Sequence, residues 1–164
     1  MRFIYIGKVT NTHALKGEIR ILSNFEFKDK VFTKGFKLYV GHLKTEEVIE
    51  TYRRHKQYDM IKFVGIDNIN DVIKYKGASV FINEEDLHLG DDEILTEELI
   101  GMKVYNDNSL VGNITEFRED NGNKNIRVND KLIPFNKDFI SKIDKQNREI
   151  HFHDIGVFLW KYIY

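Results

Sequence analysis

Ile6-Gly7-Lys8-Val9, followed by His13-Ala14-Leu15-Lys16-Gly17-Glu18-Ile19-Arg20, is the stretch that decides the fold. A β-rich segment breaks at one glycine, loops through polar residues and restarts at a second glycine as an alternating run. From Gly17 onward, Ile19 and Ile21 share one face while Glu18 and Arg20 share the other, the period of a half-buried strand. Lys8, His13 and Lys16 lie near one tip. These residues predict a barrel hairpin carrying a basic loop.

The same pattern continues outward. Phe36 to Val40 is a strand bounded by Gly35 and Gly41, and Glu47 to Arg54 pairs with Tyr58 to Val64 across His55-Lys56-Gln57 as a hairpin. One helical signal runs from Ile69 to Lys76, with Asn68 as its cap, Asp71 near the positive end of the dipole and Gly77 at its exit. A strand, Ala78 to Asn83, follows. The stretch from Glu84 to Glu98 is acidic and interrupted by Gly90, and such a charge run predicts a solvated linker between domains. Beyond it, Leu99 to Tyr105 and Leu110 to Phe117 flank the turn cluster Asn106-Asp107-Asn108-Ser109. Asn125 to Val128, Lys131 to Phe135 and Glu149 to His153 complete a set of short strands. Regular short strands with turn signals favour small barrels over a doubly wound sheet.

Composition narrows the function. Of 164 residues, 41% are hydrophobic and 13% aromatic, enough apolar surface for a core and too much for a disordered chain. The absence of cysteine excludes disulfides and thiolate metal sites and fits a reducing compartment. The opening apolar run is too short for a secretory signal, and no run is long enough for a spanning helix. A soluble, cytoplasmic protein without membrane contact is expected. Residues 1–87 hold fifteen Lys+Arg against twelve Asp+Glu, whereas residues 88–164 hold ten against fourteen, together the 25 and 26 of the chain. Nucleic-acid contact is therefore expected mainly in the first half.

No constellation supports catalysis. Gly7 and Gly17 lack the spacing and the following Gly-Lys-Ser/Thr of a phosphate loop. Asp91-Asp92-Glu93 sits in a polar segment that offers no burial to separate two carboxyl pKa values. His151 and His153 share a strand face, but the alternation with Ile150 and Phe152 explains them as its solvent side, and a metal site needs more ligands. The stronger candidate is Arg53-Arg54-His55-Lys56, flanked by Tyr52 and Tyr58. Arginines grip phosphate bidentately, and the tyrosines offer faces to an unpaired base. An exposed hairpin tip of ordinary charged residues is the plainer explanation.

The opening stretch, in residue order and spacing, resembles the signature of the RimM family of small-subunit maturation factors. The second half extends the resemblance. Leu99-Ile100-Gly101-Met102-Lys103-Val104-Tyr105 with Leu110-Val111-Gly112-Asn113-Ile114 looks like the entry hairpin of a PRC-barrel domain. Leu132-Ile133-Pro134-Phe135 with Ile143-Asp144 and Ile150 is similar to its closing half, and Pro134 is the chain's one proline. Two departures stand out. His13-Ala14 replaces the family's usual His-Gly, and Ile94-Leu95 replaces a tyrosine pair, keeping apolar bulk without the hydroxyls.

The resemblance implies an all-β protein with one short helix: a six-stranded antiparallel barrel of the translation-protein kind at residues 1–88, an acidic linker at 89–98 and a PRC-barrel at 99–164. It implies a monomer without cofactor, metal or catalysis, which binds the free 30S subunit and assists head assembly and 16S rRNA processing. Its partners would be 16S rRNA and head protein nineteen. Candidate rRNA contacts are His13, Lys16, Arg20, Arg53, Arg54 and Lys56. Candidate docking residues for the ribosomal protein are Ile94, Leu95, Phe135 and Phe158. The alternatives are a general RNA-binding barrel and a PRC-barrel adaptor for a non-ribosomal protein.

Overall fold

The computed structural model describes residues 1–12 and 17–160, which leaves His13 and Lys16 outside the described residues. The described residues divide into two compact units between His88 and Leu89. In the first, strands β1 (Phe3–Thr12), β2 (Ile19–Leu22), β3 (Lys37–Val40), β4 (Thr45–His55), β5 (Tyr58–Phe63) and β6 (Ser79–Asn83) form a closed barrel. Their order is β1-β2-β5-β4-β3-β6, and every neighbouring pair is antiparallel. This is the six-stranded antiparallel barrel that the family resemblance implies. Closure leaves no unpaired strand edge to be managed.

Each strand turns alternate residues inward. Ile6, Ile19, Leu38, Ile49, Ile61 and Ile82, one from each strand, are all buried in a single core. Burial of a side chain of this size contributes about 1.5–3 kcal/mol. The helix expected at 69–76 is one α-turn, Ile69–Val72, continued by a 3-10 turn over Ile73–Tyr75. Asn68 caps it by accepting the Asn70 N–H at 2.9 Å, and Val72 and Tyr75 reach the barrel core. Further single helical turns occupy Lys28–Val31, Thr96–Leu99 and Gly156–Leu159.

The two glycines of the opening stretch have separate reasons. Gly17 has φ +74°, and a Cβ there would stand 2.8 Å from the Ile66 carbonyl oxygen. Gly7 lies where β1 approaches β2 closely, and its Cβ would stand 2.7 Å from the Leu22 carbonyl oxygen. Glycine therefore solves a left-handed turn at one position and a steric approach at the other.

The second unit is a six-stranded sheet of β7 (Lys103–Asn106), β8 (Ser109–Asp120), β9 (Asn123–Val128), β10 (Lys131–Pro134), β11 (Ile140–Asp144) and β12 (Glu149–Phe152). Its order is β10-β9-β8-β7-β12-β11. β12 runs parallel to β7, a pairing that hairpin signals alone do not disclose. Pro134 ends β10 at one side of the sheet, where a missing N–H costs little. Met102, Val104, Ile114, Ile126, Val128 and Ile150 are central to a second core.

Residues 89–98 differ from the expected solvated linker. Ile94 and Leu95 are only 7% and 5% exposed, and Ile94 belongs to the second core. Gly90 donates its N–H to Glu93 Oε1 at 2.9 Å, and its carbonyl accepts from Lys145 Nζ at 2.9 Å. The acidic side chains Asp91, Asp92 and Glu97 remain exposed. The segment is two-faced, acidic toward water and apolar toward the sheet, and the charge run conceals the second face.

Candidate functional site

The β4–β5 hairpin carries the basic cluster. Its turn is set by Lys56, whose φ of +55° places it in the left-handed region. The register puts Arg53 opposite Met60 and Arg54 opposite Asp59, while Arg20 on β2 faces Met60 from the other side. Arg20 and Arg53 thus flank Met60, which is itself buried.

The structure gives these cations internal partners. Arg53 donates from Nε and Nη2 to the two carboxylate oxygens of Glu18, each at 2.8 Å. This bidentate bond and the Glu18 charge raise the Arg53 pKa further. Arg54 donates from Nε to the Lys56 carbonyl at 2.9 Å and from Nη1 to Asp59 Oδ1 at 3.2 Å. The Arg20 guanidinium lies 5.1 Å from the centre of the Tyr58 ring.

Asp59 organises the cluster. It is fully buried, on the same strand face as Ile61 and Phe63. Oδ1 accepts from the Tyr52 hydroxyl at 2.7 Å and from Arg54, while Oδ2 stands 2.9 Å from Lys28 Nζ. Two hydrogen bonds at Oδ1 and the positive charges of Arg54 and Lys28 compensate its lost hydration, while Oδ2 accepts no hydrogen bond. Burial, then the bond to Asp59, pushes the Tyr52 phenol pKa up. Tyr52 also stacks on Phe32 at 5.7 Å with an interplanar angle of 15°. One face of each flanking tyrosine is thus occupied, by Phe32 at Tyr52 and by Arg20 at Tyr58, and Tyr52 remains 38% exposed.

Sequence reasoning passed over Asp59, although a signal was present. In Tyr58 to Phe63 the inward parity is 59, 61 and 63, so an aspartate occupies a core position.

The docking candidates are not one surface. Ile94 and Leu95, expected as an apolar dock, are buried and present little surface to a partner in this conformation. Phe135 and Phe158 are half-buried, and each packs edge-on against a ring of the same unit. Phe117 lies 6.2 Å from Phe135, and Phe139 lies 5.7 Å from Phe158.

Elsewhere in this unit His151 stacks on Tyr105 at 4.9 Å and contacts Glu149 Oε2 at 3.1 Å. His153 contacts Asp154 Oδ2 at 3.0 Å. Among the described residues no group of three or more His, Cys, Asp or Glu side chains could hold a metal ion. Among the same residues no helix is long and apolar enough to cross a membrane.

Fold and site define a two-unit β protein whose first unit is a closed antiparallel barrel bearing an internally paired basic hairpin. The family model for the RimM N-terminal domain matches residues 4–87, and that for the RimM PRC barrel domain matches residues 96–154. The chain belongs to the RimM family. It is 36% identical over 159 residues to a relative named ribosome maturation factor RimM from an Exiguobacterium species, covering 92% of each chain. It is 37% identical over 155 residues to the like-named protein of Staphylococcus haemolyticus, covering 90% of this chain and 93% of that one. The solution structure of the N-terminal domain of RimM from Thermus thermophilus is similar at 23% identity and TM-score 0.46, over 54% of this chain and 98% of that chain.

Proposed function

We propose that this protein is a cytoplasmic, non-catalytic maturation factor that binds the free 30S subunit and assists assembly of its head and processing of 16S rRNA. The observation that carries the proposal is the presence of both RimM domain matches, in order, on one chain that covers nine-tenths of its curated relatives. Head protein nineteen and 16S rRNA are the proposed partners. Such a factor acts by covering an immature surface and favouring one arrangement of it, which calls for shape and charge complementarity.

In this proposal the basic hairpin meets rRNA phosphate through Lys56 at its tip and through Arg53, which exchanges the Glu18 carboxylate for a phosphate oxygen. Both acceptors suit the same guanidinium fork, so the exchange costs little geometry. The half-buried Phe135 and Phe158 remain candidates for the ribosomal-protein contact, and the net acidic second half suits a basic protein. Depletion of the protein should cause unprocessed 16S precursor to accumulate, read by gel analysis of total RNA. Normal precursor levels in depleted cells would refute the role.

A further inference from the structure

A second surface of the barrel lies on the wall formed by β1, β6 and β3. Core residues Ile4, Ile6, Leu38, Val40, Val80 and Ile82 take the inward parity of these strands, which leaves Phe3, Tyr5, Tyr39 and Phe81 on the outer wall. The register sets Tyr5 and Tyr39 on either side of Phe81. Tyr5 meets Phe81 edge-on at 5.9 Å, and Phe3 meets Tyr39 at 5.0 Å. Tyr5 is 56% exposed. Phe3 and Phe81 are half-buried and Tyr39 is buried, so Tyr5 and Phe81 offer the accessible ring surface of this wall.

Cations stand at one end of these rings. Lys44 Nζ lies 4.7 Å from the centre of the Phe81 ring and 5.5 Å from that of Phe3. Lys74 Nζ lies 5.1 Å from the Tyr75 ring. Beside Phe81 a cleft of about 450 Å³ is lined by His42, Lys44, Lys74 and Ser79, with glycines and an alanine filling the rest and no carboxylate among the lining residues. Lys8 is opposite Ser79 in the register. On the same wall Glu46 accepts from the Tyr39 hydroxyl at 3.3 Å, and Asp86 lies within electrostatic reach of Tyr39. Among the described residues, Arg53 and Arg54 make ion pairs whereas Lys44 and Lys74 lie over ring faces.

We propose that this wall binds single-stranded RNA, with an unpaired base stacked on Tyr5 and Phe81 and the adjoining phosphates held by Lys44 and Lys74. Exposed aromatic faces take bases of any identity, and neighbouring lysines follow the backbone. Lys44 covers the Phe81 ring in the free protein, and its flexible stem lets the ammonium turn to phosphate as a base takes its place. The inference rests on the ribosomal role proposed above and adds the site and the form of RNA it takes.

The test is a titration of the full chain with an end-labelled single-stranded RNA of about ten nucleotides, with a duplex and an abasic strand of equal length as comparators. The single strand should bind more tightly than either comparator. Tyr5→Ala should weaken it about five-fold or more, while Tyr5→Trp retains it. Lys44→Gln with Lys74→Gln should lower the slope of log affinity against log salt by about 1.4, the release expected for two phosphate contacts on a single strand. Equal binding of the abasic strand, or wild-type binding by Tyr5→Ala and by the lysine pair, would overturn the site. In the 30S complex, photocrosslinks from position 5 should reach RNA, and crosslinks to protein alone would overturn it as well. Failure of the wild type to bind 30S particles, with the oligonucleotide behaviour intact, would instead refute the ribosomal role.

Discussion

Asp59 decides how the basic hairpin is built. Removing its carboxylate takes the acceptor from the Tyr52 hydroxyl and from Arg54 and the ion-pair partner from Lys28. Asp59→Ala should lower unfolding stability by about 3 kcal/mol, read by urea denaturation. A loss below about 1 kcal/mol would show that the network contributes little beyond surface pairing. Tyr75 gives the corresponding pH effect. It is buried, donates its hydroxyl to Glu47, and burial followed by that bond raises its pKa well above the ordinary phenol value. The unfolded chain ionises its tyrosines near pH 10 while folded Tyr75 keeps its proton, so the unfolded state binds fewer protons there. Stability from this group is complete below about pH 10 and falls as pH rises toward the folded value. Tyr75→Phe should be about 1 kcal/mol less stable at neutral pH and lose less stability on going to pH 11. An unchanged alkaline slope would contradict the assignment.

Strands were the most legible elements. Each barrel strand alternates around a buried aliphatic residue, so Phe36 to Val40 and the hairpin around His55 to Gln57 were readable from period two alone. The helix at 69–76 was readable from Asn68 and Gly77, although its second half tightens to a 3-10 turn. The parallel pairing of β7 with β12 was not readable, because contacts so distant in sequence leave no local signal. The segment 89–98 carries a burial that its composition does not announce. Six acidic residues between positions 86 and 98 outweigh Ile94 and Leu95 in any composition count, yet those two side chains are buried. The basic site was legible in residue type and not in state: Glu18 pairs with Arg53 across 35 positions, while Asp59, five residues from Arg54 in the same hairpin, could have been read from its inward parity.

That packing makes the start of the second domain testable. We propose the boundary at 88/89, not at 98/99. A fragment of residues 89–164 should unfold cooperatively, whereas one of residues 99–164 should be destabilised by about 3 kcal/mol or more through loss of two buried aliphatic side chains. Circular dichroism melts of the two fragments compare them directly. Equal stability would return the segment to the status of a linker.

At the scale of the molecule, a closed barrel and a second sheet place two chemically different surfaces on one chain. The first half carries the excess of Lys and Arg, and the second carries the excess of Asp and Glu. Within the barrel, one hairpin holds its cations in ion pairs while the wall of β1, β6 and β3 holds them over aromatic rings. A maturation factor that leaves when its target is finished needs contacts that can be exchanged, and paired arginines and ring-held lysines both supply them. The proposed role stands or falls on which particle the protein chooses. Purified protein should be sedimented with separated 30S, 50S and 70S particles at low and at raised salt. Co-migration with free 30S alone, weakening as salt rises, is the predicted result. Equal co-migration with 50S or 70S particles, or none with 30S at either salt, would contradict it.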